Sequence, residues 1–578
     1  MTQSQQTHQP QVLILGLDGA TFDLIKPWVA SGQLPTFKYL LDTGTQASLE
    51  STIPPITPPA WTSFMTGMNP GKHGVFNFTE YHPTDHSIRY ANASNRKMPS
   101  IWKLLSSLGR SVGVFNVPMT YPPEEVNGFC ISGLDTPDKD SDFVYPRWLK
   151  QEIEHAVGEL YLDPRHLGFM TTDDRRDKIL ESLVRIENRR TQIAAYLLKK
   201  YPVDVMMLVY TATDTAQHFF WNYMDPTHPS HDPSGAKKYR DAILKIYRTI
   251  DADIATLLDA IPPECTVIVL SDHGGGAVSG KVIHLNQYLH ELGLLAYKNG
   301  STGSPGRLLH RCISGVDGYL RGRLSPRQKT AIARFFPTLR EKWESYATAL
   351  NMIDWPKTQA YCLEFLAFPS ELWINLEGRT PHGTVKPGAE YEKVIELLTE
   401  NLSSLCDDST GQRLIQKVYR KDEVYQGPYI DQAPDLMFSW WEHGSLESRK
   451  SSAGAQHPSL RAYAEAREEL AASWSGTHRL QGILLLKGAP FRAGLTLSQA
   501  HITDVAPTLL YLLGVPVPTE MDGKVMVDAF DEGFVASHPV EYQENALLMH
   551  ASRPSEAVYT LQETAKIQER LKDLGYID

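Results

Sequence analysis

At 578 residues, with 42% hydrophobic and 10% aromatic side chains, the chain carries enough apolar material for a large core, which excludes global disorder. Its 67 acidic against 56 basic residues give a net charge of −11 with no long basic run, so no dedicated nucleic-acid surface is expected. Five cysteines (Cys130, Cys265, Cys312, Cys362, Cys406) lie far apart without a C-x-x-C pair, the pattern of reduced thiols and not of a disulfide framework or a thiolate metal site. The first apolar run, Val12–Leu17, is too short for a signal-peptide core, and no stretch approaches the ~18 apolar residues of a membrane span. A cytoplasmic protein without a membrane span is the expectation.

Gln11 to Asp18 (QVLILGLD) is a continuous apolar run ending in a carboxylate, as in a strand buried on both faces of a parallel sheet. Asp18 then falls at the strand's carboxyl end, where open α/β sheets place ligands, or else caps the following helix. Residues 21–31 fit that helix, with Pro27 inside it, and 36–42 a second one. Ser51–Phe78 sets Thr57 among Pro54, Pro55, Pro58 and Pro59 ahead of a short helix. This places a hydroxyl at a helix mouth, where backbone N–H groups favour an anion; a rigid surface turn is the competing reading.

Further buried strands are expected at 111–117, 129–134, 203–210, 265–270 and 482–487, and helices at 101–108, 175–200, 237–261, 389–406 and 555–575. After the strand ending at Tyr210, Asp214 and His218 stand at i and i+4, on one face of a helix and able to share a metal. They could equally be a first-turn acid and a half-buried histidine. After Leu270 comes Ser271-Asp272-His273 with three glycines, which permit the turn that adjacent ligands need. Three carboxylates, Asp18, Asp214 and Asp272, thus lie at or just past strand ends. His478 precedes another strand, a position also common for a packed loop histidine. Residues 300–306 read as a linker, 307–350 as basic and helical, and 442–473 as polar surface.

GLDG (16–19), ITPPAWTSFMTGMNPGKHGVFNF (56–78), TDTAQH (213–218), SDHGGG (271–276), SGTHRLQGILLLKG (475–488) and ITDVAPTLLYLLGVPVPTEMDGKV (502–525) together resemble the alkaline phosphatase superfamily, in its type I phosphodiesterase/nucleotide pyrophosphatase branch. The resemblance implies an α/β fold, an alkaline-phosphatase-like α/β/α sandwich with a mostly parallel central sheet and an inserted cap. Residues 1–280 and 470–535 would form the catalytic core, 281–469 the cap that chooses the substrate, and 536–578 a tail with an amphipathic helix. It further implies two divalent metal ions. Asp214, His218 and His478 would bind one; Asp18, Asp272 and His273, with the Thr57 oxygen, the other. Oxygen and imidazole donors suit Zn²⁺, and Mn²⁺ is compatible with them. The implied reaction is hydrolysis of a phosphodiester or phosphoanhydride through phospho-Thr57, on a small phosphate-ester substrate such as a nucleotide.

Several alternatives share parts of this pattern. A sulfatase would need C/S-x-P-x-R, which Thr57-Pro58-Pro59-Ala60 does not supply. A phosphomonoesterase, a phosphomutase or a non-catalytic metal-stabilised binding protein could use the same core. Without gaps, Phe78 aligns where the family carries a phosphate-contacting Asn, leaving Asn77, one residue earlier, as the candidate substrate contact. Backbone N–H groups after Thr57 are the other candidate for an oxyanion site.

Overall fold

The structure is a computed structural model that describes residues 11–160, 173–278, 281–283, 285–298, 350, 352–363, 371–406, 413–439, 460–462, 474–544, 559–574 and 576. The expected features at 300–306 and 307–349, and most of the polar stretch 442–473, lie outside these residues.

The apolar runs form the middle of a nine-stranded sheet. We number its strands β1 (Val12–Leu17), β2 (Thr45–Glu50), β3 (Val112–Val117), β4 (Gly128–Ser132), β5 (Val144–Tyr145), β6 (Val205–Tyr210), β7 (Thr266–Leu270), β8 (Gln481–Lys487) and β9 (Ala500–His501). The order is β9-β2-β8-β7-β1-β6-β3-β4-β5. Pairings across β7-β1-β6-β3-β4 are all parallel, while β8 runs antiparallel to both β2 and β7, and β5 antiparallel to β4. The fold is therefore the expected mixed α/β architecture with a mostly parallel central sheet.

Continuous hydrophobicity has a simple cause here. Side chains alternate across a strand, and both faces of β1 are covered: Leu13, Leu15 and Leu17 enter one core, Val12 and Ile14 the other. β6 divides in the same way, Met206, Leu208 and Tyr210 against Val205, Met207 and Val209. Helices α1 (Phe22–Ala30), α3 (Asp173–Lys200) and α5 (Ala242–Asp259) cover the first face; α2 (Thr57–Thr66) lies on the second. Pro27 is accommodated inside α1, whose first turn is capped by the Thr21 hydroxyl accepting from the Asp23 N–H.

A second, four-stranded antiparallel sheet consists of Ala360–Tyr361, Glu371–Ile374, Leu436–Ser439 and Lys417–Arg420. Its core is separate, and Tyr81, from the hairpin that follows Phe78, packs into it. Helix α6 (Leu561–Asp573) docks back on the first unit, with Ile567 and Leu571 against Phe78.

Candidate metal centre and nucleophile

All three strand-end carboxylates converge. Asp18 leaves β1 with its N–H on the Tyr210 carbonyl, 2.9 Å. The turn at Gly19 needs φ +66°, and a Cβ there would lie 2.8 Å from an Asp214 carboxylate oxygen, so glycine is what lets the two acids approach. Asp214 and His218 lie in the first two turns of α4 (Ala212–Met224), as their spacing predicts. Asp272 and His273 follow β7, and the glycines then form a short strand, Gly274–Ala277, paired antiparallel with Gly476–Arg479. In that register Gly275 faces His478, which stacks its ring on His273 at 3.7 Å.

Each imidazole is fixed by a backbone carbonyl. Nδ1 of His218 donates to Gly476 (2.8 Å), that of His273 to Gly274 (2.9 Å) and that of His478 to Pro55 (2.9 Å). A carbonyl can only accept, so Nδ1 is the donor in each ring and every Nε2 is directed at the cluster. The His218 and His478 Nε2 atoms are 3.1 Å apart and lie 3.1 and 3.5 Å from Asp214 Oδ1. Nε2 of His273 lies 3.3 Å from Thr57 Oγ1, 3.3 Å from Asp272 Oδ2 and 3.6 Å from Asp18 Oδ1. Imidazole nitrogens and carboxylate oxygens at these separations need positive charge among them, carried by a proton or a cation.

The carboxylates show the same division of labour. One oxygen of each takes a donor: Asp18 Oδ2 from Trp61 Nε1 (3.2 Å), Asp272 Oδ1 from the Gly19 N–H (3.2 Å), Asp214 Oδ2 from the Tyr576 hydroxyl (2.7 Å). The other faces the cluster, and Asp18 Oδ1 and Asp272 Oδ2 are buried without a hydrogen-bond donor among the described residues. Burial, then the Asp272 and Asp214 charges, pushes Asp18 well above the usual carboxylate range, and burial does the same to Asp272. Burial opposes ionisation of Asp214 too, but His218 and His478 hold it well below that range. Burial, then His478, pulls His273 well down. Orphaned acid oxygens and inward imidazole nitrogens in one buried cluster are the donor set of a divalent cation, and two groups have ligand atoms close enough to share one: Asp214, His218 and His478, and Asp18, Asp214 and His273.

Thr57 is fully buried and is the first residue of α2, not the cap before it; Ile56 occupies that position. Backbone N–H groups directly after Thr57, the other candidate for an oxyanion site, are few for a local reason. Pro58 and Pro59 have no N–H, and the Ala60 N–H is taken by the Ile56 carbonyl at 3.0 Å. Asn77 is turned elsewhere as well: its Nδ2 donates to Glu371 (3.0 Å) and its Oδ1 accepts from the Phe78 N–H (2.8 Å). Of the candidate residues, it alone has its recorded contacts outside the cluster. His73 is a turn support, accepting from the Val75 N–H at Nδ1 and bonding Ser63 Oγ at Nε2, 2.9 Å.

Sequence reading missed the donors behind the ligands. Trp61 was within reach, lying four residues after Thr57 in one motif. Tyr576 had no local signal, because its contact spans 362 positions. Burial, then the Asp214 charge, pushes its hydroxyl well above the ordinary tyrosine range, so it stays a donor.

A mostly parallel sheet that brings acid and imidazole side chains together past its strand ends, with a buried hydroxyl beside them, is the arrangement expected from the resemblance to the alkaline phosphatase superfamily. More narrowly, the chain belongs to the type I phosphodiesterase/nucleotide pyrophosphatase family, whose model matches residues 12–457. It is a phosphodiesterase/pyrophosphatase-like hydrolase. Phosphonoacetate hydrolase from Sinorhizobium meliloti 1021, in complex with phosphonoformate, is similar in fold: TM-score 0.50, 13% identity, covering 86% of this chain and 94% of that one. Murine ectonucleotide pyrophosphatase/phosphodiesterase 5, as an inactive form in complex with AMP, aligns at TM-score 0.45 and 14% identity over 90% of this chain and 100% of that one. No curated protein matches the chain. Among the described residues, no helix is long and apolar enough to cross a membrane.

Proposed function

We propose that this hydrolase cleaves a phosphodiester or phosphoanhydride with Thr57 as nucleophile and two divalent ions, Zn²⁺ or Mn²⁺, as cofactors. The observation that carries the reading is the set of inward Nε2 atoms and orphaned carboxylate oxygens around the Thr57 hydroxyl. Asp214, His218 and His478 would hold one ion; Asp18, Asp272 and His273, with Thr57 Oγ1, the other. When bound, the ions supply the Lewis acidity that lowers the hydroxyl's pKa and offsets phosphoryl charge.

The chain's own residues do the rest. Thr57 Oγ1, once deprotonated, attacks phosphorus; the bond to the leaving oxygen breaks and phosphothreonine remains. Water then cleaves that ester and returns the hydroxyl. α2 holds the attacking oxygen in a fully buried position, and the three carbonyl-anchored imidazoles cannot swing away. The substrate is a small phosphate ester. A cytoplasmic setting is supported by Cys130, Cys265, Cys362 and Cys406, all free thiols.

The test compares a chromogenic phosphodiester with its monoester. Faster diester cleavage, abolished in Thr57→Ala while metal content stays at the parent level, is the expected result. Undiminished turnover by that variant removes Thr57 from the chemistry, and phosphate migration without release identifies a mutase.

A further inference from the structure

Asp18, Asp214 and Asp272 each need one oxygen tied down for the other to face the cluster, and two of the three ties are local to the motifs: Trp61 and the Gly19 N–H. The third is Tyr576, beyond the stretch matched by the family model and outside every motif of the resemblance. We propose that Tyr576 is a positioning residue of the Asp214–His218–His478 site, its hydroxyl holding Asp214 Oδ2 so that Oδ1 stays between the two imidazoles and sets the affinity for the ion there. The proposal rests on the reading of this cluster as a metal centre.

Tyr576 is held in place by a well-anchored segment. Its ring stacks on Phe78 with centroids 4.3 Å apart and planes 24° from parallel. Its N–H returns to the Leu571 carbonyl, 2.9 Å, closing the end of α6. α6 is fastened by Ile567 and Leu571 against Phe78, and by Arg570 donating to the carbonyls of Leu134, Thr136 and Pro137. At the near end Tyr559 donates to the Asp135 carbonyl, 2.6 Å, and stacks on Tyr121. With both ring and backbone constrained, the hydroxyl can select one orientation of the carboxylate, which a mobile side chain or a water would not do. Phe78 gains a role from this arrangement: it is the surface against which Tyr576 is aimed.

The hydroxyl can be removed without disturbing the stack. Tyr576→Phe keeps the ring on Phe78, so α6 should stay docked and thermal unfolding should match the parent. Metal-free parent and variant are titrated with Zn²⁺ against a chromogenic chelator, and with Co²⁺ while the visible ligand-field spectrum is followed. The expected result is that one of two equivalents weakens in the variant by roughly 10–100-fold, the range for loss of a partner behind a metal ligand, while the other holds. The Co²⁺ band of the weakened site should also shift. Identical titrations and spectra overturn the proposal with the metal reading intact; equal weakening of both equivalents overturns it too, by showing a diffuse effect. A parent that binds neither ion removes the metal centre and this proposal with it.

Discussion

The Arg190 guanidinium meets both oxygens of Glu187, at 2.9 and 2.8 Å, with each side chain only 1% exposed. Oε1 of Glu187 also accepts from the N–H groups of Thr211 (3.0 Å) and Ala212 (2.7 Å), and Arg190 donates to the Thr211 hydroxyl (2.8 Å). An ion pair on α3 thereby caps the start of α4, the helix that carries Asp214 and His218, and its negative partner faces the positive end of the helix dipole.

Removing one member of that pair strands the other. Arg190→Met should cost about 3–5 kcal/mol of stability, the usual penalty for an uncompensated buried charge. Urea unfolding measures it. Metal affinity at the Asp214 site should fall in the still-folded variant; a variant as stable as the parent would mean that water or a neighbour takes over from Arg190.

The ligand assignment makes a stoichiometric prediction. Asp214→Ala and Asp272→Ala should each reduce bound metal from two equivalents to about one, as each removes a carboxylate from a different ion. Elemental analysis of the purified proteins decides it, and unchanged content in both variants contradicts the assignment.

Glu371 links the second sheet to the Phe78 turn through Asn77, and burial pushes its carboxyl up to about 7, with the Asn77 hydrogen bond opposing. A raised carboxyl pKa means that the folded state holds a proton the unfolded chain has released. Stability therefore falls as pH rises from about 4.5 to about 7 and is level above that. The shift corresponds to ~3 kcal/mol. Glu371→Gln should be more stable than the parent at pH 8, by that order, and nearly equal to it at pH 4.5. Denaturation midpoints at the two values give the comparison.

His73 should act with the opposite sign. Burial, then Arg96, lowers its pKa from 6.5 to about 3, so the ring is neutral in the fold and the unfolded chain takes up the proton first. Its contribution is complete above about pH 6.5 and is lost as pH falls toward about 3. At pH 5 the loss is ~2 kcal/mol. His73→Gln, which keeps a donor and an acceptor but cannot titrate, should lack this acid sensitivity; a parallel decline in both proteins would assign it to other groups.

The parts of the fold that were legible in the sequence are those with a local cause. Val12–Leu17, Val205–Tyr210 and Thr266–Leu270 are apolar throughout because both faces are covered, and their strands follow. Thr45–Glu50 carries no such run: Gln46, Ser48 and Glu50 are its less buried positions, and it joins the sheet by pairing with the distant strand β8. At the site, Asp18, Asp214, His218, Asp272, His273 and His478 were readable from motif order, and Thr57 lies beside them. Asn77 was suggested by adjacency to an aligned position, whereas its side chain serves the contact with Glu371. What the motifs omit is the support behind the ligands, because Tyr576 and the Glu187–Arg190 pair act through tertiary contacts.

The pairing of Gly274–Ala277 with Gly476–Arg479 works as a clasp. Residues 278–475 depart and return through two adjacent strands, and a Cβ at Gly275 would strike the Gln217 amide at 2.2 Å, so that strand takes no side chain at this position. If residues 281–469 choose the substrate, as the resemblance implies, a relative's segment grafted between Ala277 and Gly476 should change specificity while His273 and His478 stay paired through these two strands.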